Sequence, residues 1–437
     1  MMPPRAEDNR TRSMAASSSK KRSLEQKSDE QNNLEFGKSI DTDLSGCFQK
    51  FIANSVDTAG SSSSTNWAPE LLQECAKAVD EKDGPRVQYL MWVLNELSSP
   101  YGNTEQRLAS AFLQALFAKL TRRGSQHYRS LCSAAAKSHS FASMKKMVLK
   151  FQELSPWMTV GMVAANGAIL EALEGERSVH IVDVSNTFCT QWPTLFEALA
   201  MRAEHPPHLR VTTLRLSSRE EEESSEQVMR EITHRLEKFA RLMGIPFEFS
   251  VLAAVETEEI DPAMLETRSN EVLIVNAMNF FQHQRHGRPL AVLARAVNPK
   301  VVIVVEDEVD LSSPQFLTRF AEAQRFYSVF FESLDSSFPR TSGERMMLER
   351  VAGRRIVAAL GCDDDPAAGA RPPEKWNLAM QREAFVPKPL KSEVVDDIQA
   401  LLKRYKPGWG LRRGDIGLFL TWKEENAIAV TVWKQQP

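Results

Sequence analysis

The side chains best suited to acid–base chemistry lie in one short apolar run. His180 and Asp183 both fall within residues 179–184, and a histidine beside a carboxylate is a common general acid–base pair. Such a run predicts a strand, in which residues three apart point to opposite faces, so the two side chains are poorly placed for a dyad. We expect structural roles instead. His180 would find its partner between strand and helix, and Asp183 would accept bonds from backbone amides of the following turn.

A group of carboxylates ends another apolar run. Glu306, Asp307, Glu308 and Asp310 close the segment 300–307 or follow it, and carboxylates are the ligands that hard cations prefer. Alternation along a strand divides these side chains between two faces, and no neighbouring histidine completes a ligand set. The cluster is therefore interpreted as a capping or interface feature, and no metal site is predicted.

Basic residues and cysteines give weaker signals. His283, Arg285, His286 and Arg288 would suit either a surface that contacts phosphate or a solvent-exposed loop, and the loop is slightly favoured. The five cysteines are widely spread without a CxxC pair or a Cys/His cluster, which disfavours a disulfide framework and a structural zinc site. This cysteine usage fits a reducing compartment, the nucleus or the cytosol.

The turn that would cradle a cofactor lacks the residues for that task. Residues 179–184 are typical of the first strand of a doubly wound domain, yet the turn 185–190 contains no glycine that would let a ligand approach the backbone. The second predicted strand, 209–216, lacks an acidic residue at its end to bind ribose hydroxyls. We expect no S-adenosylmethionine or nicotinamide cofactor and no enzyme activity. A methyltransferase-like enzyme is the rival hypothesis, and another kind of small-molecule pocket at the carboxyl edge of the sheet stays open.

The elements around this turn alternate between strand and helix. That alternation predicts a mostly parallel sheet with helices on both faces, an α/β fold of the Rossmann-like, methyltransferase-like kind. Two final strands flanking the polar turn 424–426 predict a C-terminal antiparallel hairpin. The predicted strands are 179–184, 209–216, 246–252, 271–278, 300–307, 417–423 and 428–434.

Three regions differ in composition along the chain. Residues 1–65 are polar and rich in serine, which predicts a disordered tail. Residues 66–151 carry apolar side chains at helical spacing and predict a helical cap, and residues 152–437 form the α/β core. Most of the cap leucines are assigned to packing, and the outer helices are the candidate dimer surface. The leucines that represent this candidate partner interface are Leu72, Leu90, Leu94 and Leu97.

The charge balance limits the kind of partner. The formal net charge of the 437 residues is −3, whereas a domain that binds DNA mainly through phosphates usually has a clear basic excess. No apolar run is long enough to span a bilayer. These observations favour indirect contact with DNA, although a local basic patch stays open.

The first strand and the helix after it resemble the VHIID motif of the plant GRAS transcriptional regulators. The longer match over 179–202 resembles the Short-root branch of that family, and further blocks at 155–176, 237–249, 338–356 and 401–410 follow in the order of the family. Five matched blocks extend the resemblance from about residue 66 to the C-terminus. The residues that carry the motif are Val179, His180, Ile181, Val182, Asp183, Gln191, Trp192 and Pro193.

The resemblance implies a non-catalytic regulator in the nucleus, with a cytoplasmic pool, that acts as a scaffold in plant development. Members of this branch pair with Scarecrow-type GRAS proteins through the helical cap. They also bind zinc-finger proteins of the indeterminate-domain class, which contact DNA. The family ends in a SAW motif, of which only Trp433 survives here in Thr431-Val432-Trp433.

Four tryptophans are given specific expectations. Trp409, Trp422 and Trp433 would form either a recognition surface or buried parts of the terminal hairpin, and burial is the favoured interpretation. Trp192 precedes a helix-starting proline, so its indole is expected to pack between that helix and the end of the sheet. Trp192 is therefore predicted to act through stability.

Overall fold

The described residues before the first strand form six helices, which make up the predicted helical cap and the helix that joins it to the core. The computed structural model describes residues 67–138, 140–185, 187–202, 205–216, 222–254, 260–279, 287–362 and 375–436. Side-chain caps define several helix starts: Asn103 forms a capping box with Gln106, and Ser155 accepts a bond from the Trp157 amide. The helices are α1 (Trp67–Glu81), α2 (Gly84–Leu97), α3 (Thr104–Thr121), α4 (Gly124–Ser138), α5 (Phe141–Leu154) and α6 (Pro156–Ala172).

Strands and helices then alternate, as the sequence predicts. The parallel strands are β1 (Ser178–Asp183), β2 (His208–Leu216), β3 (Phe247–Ala254), β4 (Val272–Asn279) and β5 (Val301–Asp307). The helices between and after them are α7 (Trp192–Arg202), α8 (Glu222–Leu242), α9 (Gly287–Val297), α10 (Phe316–Ser337) and α11 (Gly343–Gly361). Each strand edge lies within a few residues of its predicted position, because the β-branched runs are continuous and bounded by polar turns.

The chain ends in shorter elements that close the sheet. They are α12 (Trp376–Arg382), β6 (Phe385–Pro387), α13 (Ser392–Leu402), β7 (Trp409–Arg413), β8 (Leu418–Trp422) and β9 (Glu425–Gln435). The predicted hairpin corresponds to β8 and β9, with its turn at Lys423 and Glu424, both at positive φ. The prediction missed β6, which has three residues, and β7, whose sequence lacks regular alternation.

The strand order is β3-β2-β1-β4-β5-β9-β8-β7, with β6 also pairing with β9. Strands β1 to β5 pair in parallel, and β6 to β9 pair in antiparallel fashion. This order, with helices on both faces, confirms the predicted Rossmann-like α/β class and its antiparallel C-terminal closure. The direction of winding reverses between the adjacent strands β1 and β4, which is the topological switch point of the sheet.

Two apolar cores cover the two faces of the sheet. The larger one joins Ile181 and Ile303 to the cap helices and α10, and the smaller one joins Val182 and Val304 to α9 and α12. A buried ion pair also connects the sheet to α11, where the Arg355 guanidinium lies 2.6 Å from the Asp307 carboxylate at the end of β5. The cap is therefore part of the main core and covers one face of the sheet.

Some predictions concern residues that lie outside the described ranges. They are the disordered tail 1–65, the basic stretch around His283, and the end of the second strand at Ser217 and Ser218. Within the described ranges, no helix combines the length and apolar character that crossing a membrane requires.

Candidate functional site

The switch point between β1 and β4 is filled by side chains of the protein itself. The Asn276 amide nitrogen of β4 donates to Asp183 of β1 at 3.0 Å and to the Gln191 side-chain oxygen at 3.0 Å. Gln191 donates in turn to Asn166 of α6 at 2.9 Å, and Asn166 donates to the Thr194 hydroxyl of α7 at 2.9 Å. We call these five residues the switch-point network. In proteins of this architecture the crevice at this position usually binds the ligand.

Burial sets the protonation behaviour of this network. Asp183 is 1% exposed, and burial raises the pKa of its carboxyl from 3.8 to about 6, against the opposing effect of hydrogen bonds from Ser185, Asn276 and Thr213. Burial also raises the pKa of the neighbouring Cys189 thiol, and the Asp183 charge adds to that effect. A buried thiol with a raised pKa is a poor nucleophile, since the thiolate is the reactive form.

The Asp183 partners differ from those predicted. Backbone amides of the following turn were expected, whereas the carboxylate accepts from the side chains of Asn276 at 3.0 Å and Thr213 at 3.4 Å. The parallel register explains the difference, because it places Thr213 and Asn276 on either side of Asp183. The next residues of the chain turn away, and the Ser185 hydroxyl accepts from the backbone N–H of Met278.

The turn after β1 folds back over the network without a glycine. Phe188 and Cys189 adopt positive φ angles of 52° and 56°, a region that residues with a side chain enter rarely. The turn brings Gln191 and Trp192 under the sheet edge, where both are buried and Trp192 is fully inaccessible. Trp192 begins α7, with Pro193 directly after it, as predicted for a residue that packs between helix and sheet.

His180 lies on the opposite face of β1 and is also fully buried. Its ring nitrogens lie 2.8 Å from the Thr212 hydroxyl and 3.0 Å from the Arg210 guanidinium. Both partners belong to the neighbouring strand β2, so the predicted position between strand and helix is wrong. Burial and the adjacent Arg210 lower the pKa of His180 to about 4, which keeps the ring neutral at physiological pH. Together with Asp183 on the other face, this geometry excludes a His180–Asp183 dyad.

Comparison with known proteins identifies the protein family. Residues 68–434 match the GRAS domain family. The chain belongs to the GRAS domain family. The crystal structure of SCL7 from Oryza sativa has the same fold, with a TM-score of 0.71 at 27% identity over 85% of this chain and 100% of that chain. Both comparisons cover the helical cap and the α/β core together.

Among its relatives are proteins of the Short-root type. The chain is 45% identical over 393 residues to Protein SHORT-ROOT of Arabidopsis thaliana, covering 85% of this chain and 74% of that protein. It is 43% identical over 422 residues to Protein SHORT-ROOT 2 of Oryza sativa subsp. japonica, covering 85% and 70%. These similarities confirm the resemblance drawn from the VHIVD segment, and the protein is a plant developmental GRAS regulator.

The cap leucines of this GRAS domain lie inside it. Leu72, Leu90 and Leu94 are buried between cap helices, and Leu97 is half-buried against the same core. Leu72, Leu90 and Leu94 therefore hold the cap together and present no surface to a partner, because the apolar stripe of each helix faces inward. The outer faces of α2 and α3 instead expose apolar side chains at Trp92, Phe117 and Leu120.

The acidic cluster at the end of β5 is divided among separate partners. Asp307 is buried, pairs with Arg355 and accepts from the Trp157 indole at 3.2 Å. Glu308 pairs with Lys375 at 2.9 Å, and Asp310 accepts from the Ser312 amide at 3.0 Å. Asp310 has the expected capping role, and Asp307 is a buried anchor between β5 and the helices α6 and α11. No group of His, Cys, Asp or Glu in the described part of the chain is arranged to hold a metal ion.

The tryptophans near the C-terminus belong to the closing strands. Trp433 is fully buried on β9 and donates to the Thr431 hydroxyl at 2.8 Å, while Trp422 on β8 donates to Glu332 of α10 at 3.2 Å. Trp409 is half-buried, with its ring 4.9 Å from the Trp422 ring centroid. These contacts indicate packing, so the terminal tryptophans of the GRAS domain form no open recognition surface.

Sequence reasoning missed the two asparagines that complete the switch-point network. Asn276 interrupts the apolar run of β4, and Asn166 interrupts the apolar helix α6. A polar amide inside such a run is costly to bury without partners, so each interruption is a signal of a buried hydrogen bond. That signal does not identify the partner, which lies 93 residues away along the chain for Asn276 and Asp183.

Proposed function

We propose that this protein is a non-catalytic transcriptional co-regulator of the Short-root type that acts as a protein-interaction scaffold in plant development, such as root radial patterning or related control of cell fate. Its site of action is the nucleus, with a cytoplasmic pool. The helical cap pairs with a Scarecrow-type GRAS protein. Zinc-finger transcription factors of the indeterminate-domain class bind the same protein, and they make the contacts with DNA.

The switch-point network is the observation that carries the non-catalytic part of this proposal. Asp183, Asn276 and Gln191 occupy the crevice with their own hydrogen bonds, and the glycine-free turn lies over them. A cofactor would have to displace buried and largely satisfied polar groups, which costs their hydrogen bonds as well as their packing. The arrangement therefore favours a scaffold over an enzyme.

The outer faces of the cap support the interaction part of the proposal. Trp92 and Phe117 are 51% and 57% exposed, and large aromatic side chains are enriched among residues that dominate binding energy. Their helices pack inward through Leu90, Leu94 and Phe112, so the outer side chains can contact a partner without disturbing the fold. Two rigid helices thus present aromatic anchors on their solvent side.

A binding titration of the full chain with a Scarecrow-type GRAS protein tests this interface. We expect the double variant Trp92→Ser/Phe117→Ser to bind at least about tenfold more weakly, because hot-spot aromatics contribute roughly 2 kcal/mol or more each. The matched control is Met201→Ser/Leu242→Ser, which removes two exposed apolar side chains, 87% and 73% accessible, from α7 and α8. Equal binding by both double variants would refute the cap interface.

Direct DNA binding is the alternative within the same family. The formal charge of −3 disfavours it, since phosphate contacts dominate non-specific affinity. Fluorescence anisotropy with duplex DNA at near-physiological salt should show weak binding with little sequence preference. A site bound at nanomolar affinity without any zinc-finger protein would establish direct readout by the GRAS domain.

A further inference from the structure

A cavity of about 350 Å³ lies between the helical cap and the core helices α10 and α11, and no residue of the switch-point network lines it. Its walls come from α3, α4, α10 and α11, and Tyr101 in the connection between α2 and α3 also lines it. The inner wall is apolar, with Ala111, Leu131, Phe331 and Met346 among its lining residues. This volume is at the lower end of the range for small-molecule sites, which are mostly apolar with a few polar groups.

The charges around the cavity are unequal. Three arginines line it, Arg107, Arg350 and Arg354, against a single carboxylate, Glu349. Arg107 is already satisfied: it lies 3.0 Å from Glu349 and 2.8 Å from Asp335. Arg345 pairs with the same two carboxylates, so this buried network has two positive and two negative charges and is balanced. The positive excess of the cavity therefore resides on the remaining two arginines.

Arg350 and Arg354 are one helical turn apart on α11, so they lie on the same side of the helix. Within the described part of the chain, neither guanidinium has a carboxylate within ion-pair distance. Like charges at this spacing repel each other, and an anion between them would relieve that repulsion. The guanidinium fork also matches the oxygen geometry of carboxylates and phosphates.

Gly353 lies between the two arginines and keeps the wall open. A Cβ built at this position has no neighbour nearer than the Ala111 Cβ, at 3.9 Å. Both residues line the cavity, so a methyl group at position 353 would make ordinary van der Waals contact with α3 at the cavity wall. A larger side chain would extend beyond that contact into the cavity, which makes the position suitable for a blocking substitution.

We propose that this cavity binds a small organic anion. Its oxygen-rich head group lies between Arg350 and Arg354, and its compact apolar body lies against Ala111, Leu131 and Phe331. Binding joins α3 and α4 to α11, so an occupied cavity stiffens the cap. Trp92, Phe117 and the residues of the switch-point network do not line this cavity.

A fluorescence titration of the full chain with 8-anilinonaphthalene-1-sulfonate tests the proposal, because this probe combines an anionic head with an apolar body. We expect saturable binding with one site per chain, displaced by octanoate but not by octanol, which has the same chain without the charge. Binding should weaken as salt is added, because the arginines are partly exposed to solvent.

Variants locate the site. Arg350→Gln/Arg354→Gln should weaken both probe and octanoate at least about tenfold, given the strength of charge-assisted hydrogen bonds. Gly353→Leu should abolish binding by filling the cavity. The control Arg230→Gln/Arg235→Gln removes the same charge from exposed positions of α8 and should leave affinity unchanged. Equal competition by octanol, or unchanged affinity in the Arg350 and Gly353 variants with native melting temperatures, would overturn the proposal.

Discussion

The carboxyl edge of the sheet and the helical cap of this GRAS domain differ in how they use polar groups. At the sheet edge, Asp183, Asn276 and Gln191 are buried and bonded to one another. In the cap Trp92 is half exposed, and between the cap and α11 an open cavity is lined by Arg350 and Arg354. Polar side chains bond to one another at the position where this architecture usually binds ligands, whereas the cap and α11 carry exposed apolar side chains and a cavity.

This difference shows in physical terms that a shared fold does not determine function. The parallel sheet retains its switch point because strand order and handedness are set by packing. At this switch point a glycine-free turn and two buried asparagines, Asn166 and Asn276, form structural hydrogen bonds between β1, β4 and the adjacent helices. A substitution at the sheet edge should therefore reduce stability, whereas one on the cap surface should reduce binding.

The pair Trp192 and Trp92 tests this contrast most sharply. Trp192→Ala removes a fully buried indole and should lower the free energy of unfolding by about 3–5 kcal/mol. Trp92→Ala removes an indole that is 51% exposed and should change stability by less than about 1 kcal/mol. Urea unfolding of both variants measures the two losses. Similar losses, or a Trp192 variant that keeps its stability yet fails to bind its partner, would break the distinction.

The Arg355–Asp307 pair tests how α11 is anchored to the sheet. Arg355→Met leaves the buried Asp307 carboxylate without its cation and should cost about 3–5 kcal/mol of unfolding free energy. The double variant Arg355→Met/Asp307→Asn removes both charges, so it should recover part of that loss. A double-mutant cycle by chemical denaturation gives the coupling. Additive losses would mean that the two residues act independently and that α11 has other anchors.

The raised pKa of Asp183 predicts that the free energy of unfolding depends on pH. The folded protein holds the Asp183 proton up to about pH 6, whereas the ordinary pKa is 3.8, so its contribution to stability falls as pH rises through this window. Asp183→Asn has no such titration. Relative to the variant, the parent should therefore lose roughly 2 kcal/mol between pH 4 and pH 7. Unfolding of both proteins at a series of pH values measures this difference, and parallel profiles would show that the carboxyl is not buried as described.

Gly353 gives the smallest predicted effect and has the opposite sign. Gly353→Ala should stabilise the protein by about 0.5–1 kcal/mol, because alanine is the better helix former and its methyl group meets no atom nearer than 3.9 Å. The same substitution at Gly361 is the control. There the Cβ would lie 2.9 Å from the Ala118 Cβ, so a loss is expected. Destabilisation by Gly353→Ala would mean that a methyl group does not fit between α3 and α11 at this position.

The sequence predicts the layout of the fold well, for reasons visible in particular segments. The β1 and β5 runs are short, β-branched and bounded by polar turns, so their type and neighbours follow from local pattern. Strand β7 was missed because Trp409–Arg413 has no alternation, and it forms only by pairing with β8. Helix periodicity in the cap indicates that Leu90 and Leu94 face inward. It does not indicate whether an outer side chain such as Trp92 contacts a partner.

The candidate site was harder to predict. Trp192 was identified because its position before Pro193 follows from helix-start chemistry. The partners of Asp183 and His180 lie on other strands, and register determines them: Thr212 and Thr213 are adjacent in sequence yet serve opposite faces. The anion cavity depends on α3, α4 and α11 converging from distant parts of the chain, which no local pattern specifies.

Isothermal titration of S-adenosylmethionine into the full chain tests the central claim most directly. The account holds that Asp183, Asn276 and Gln191 fill the switch point, so no heat of binding above dilution should be seen at millimolar ligand. An Asp183→Asn titration run in parallel should be equally flat. Saturable binding at micromolar affinity that is lost when Asp183 is replaced would show that the crevice opens to a cofactor, and it would contradict the claim that the sheet edge is purely structural.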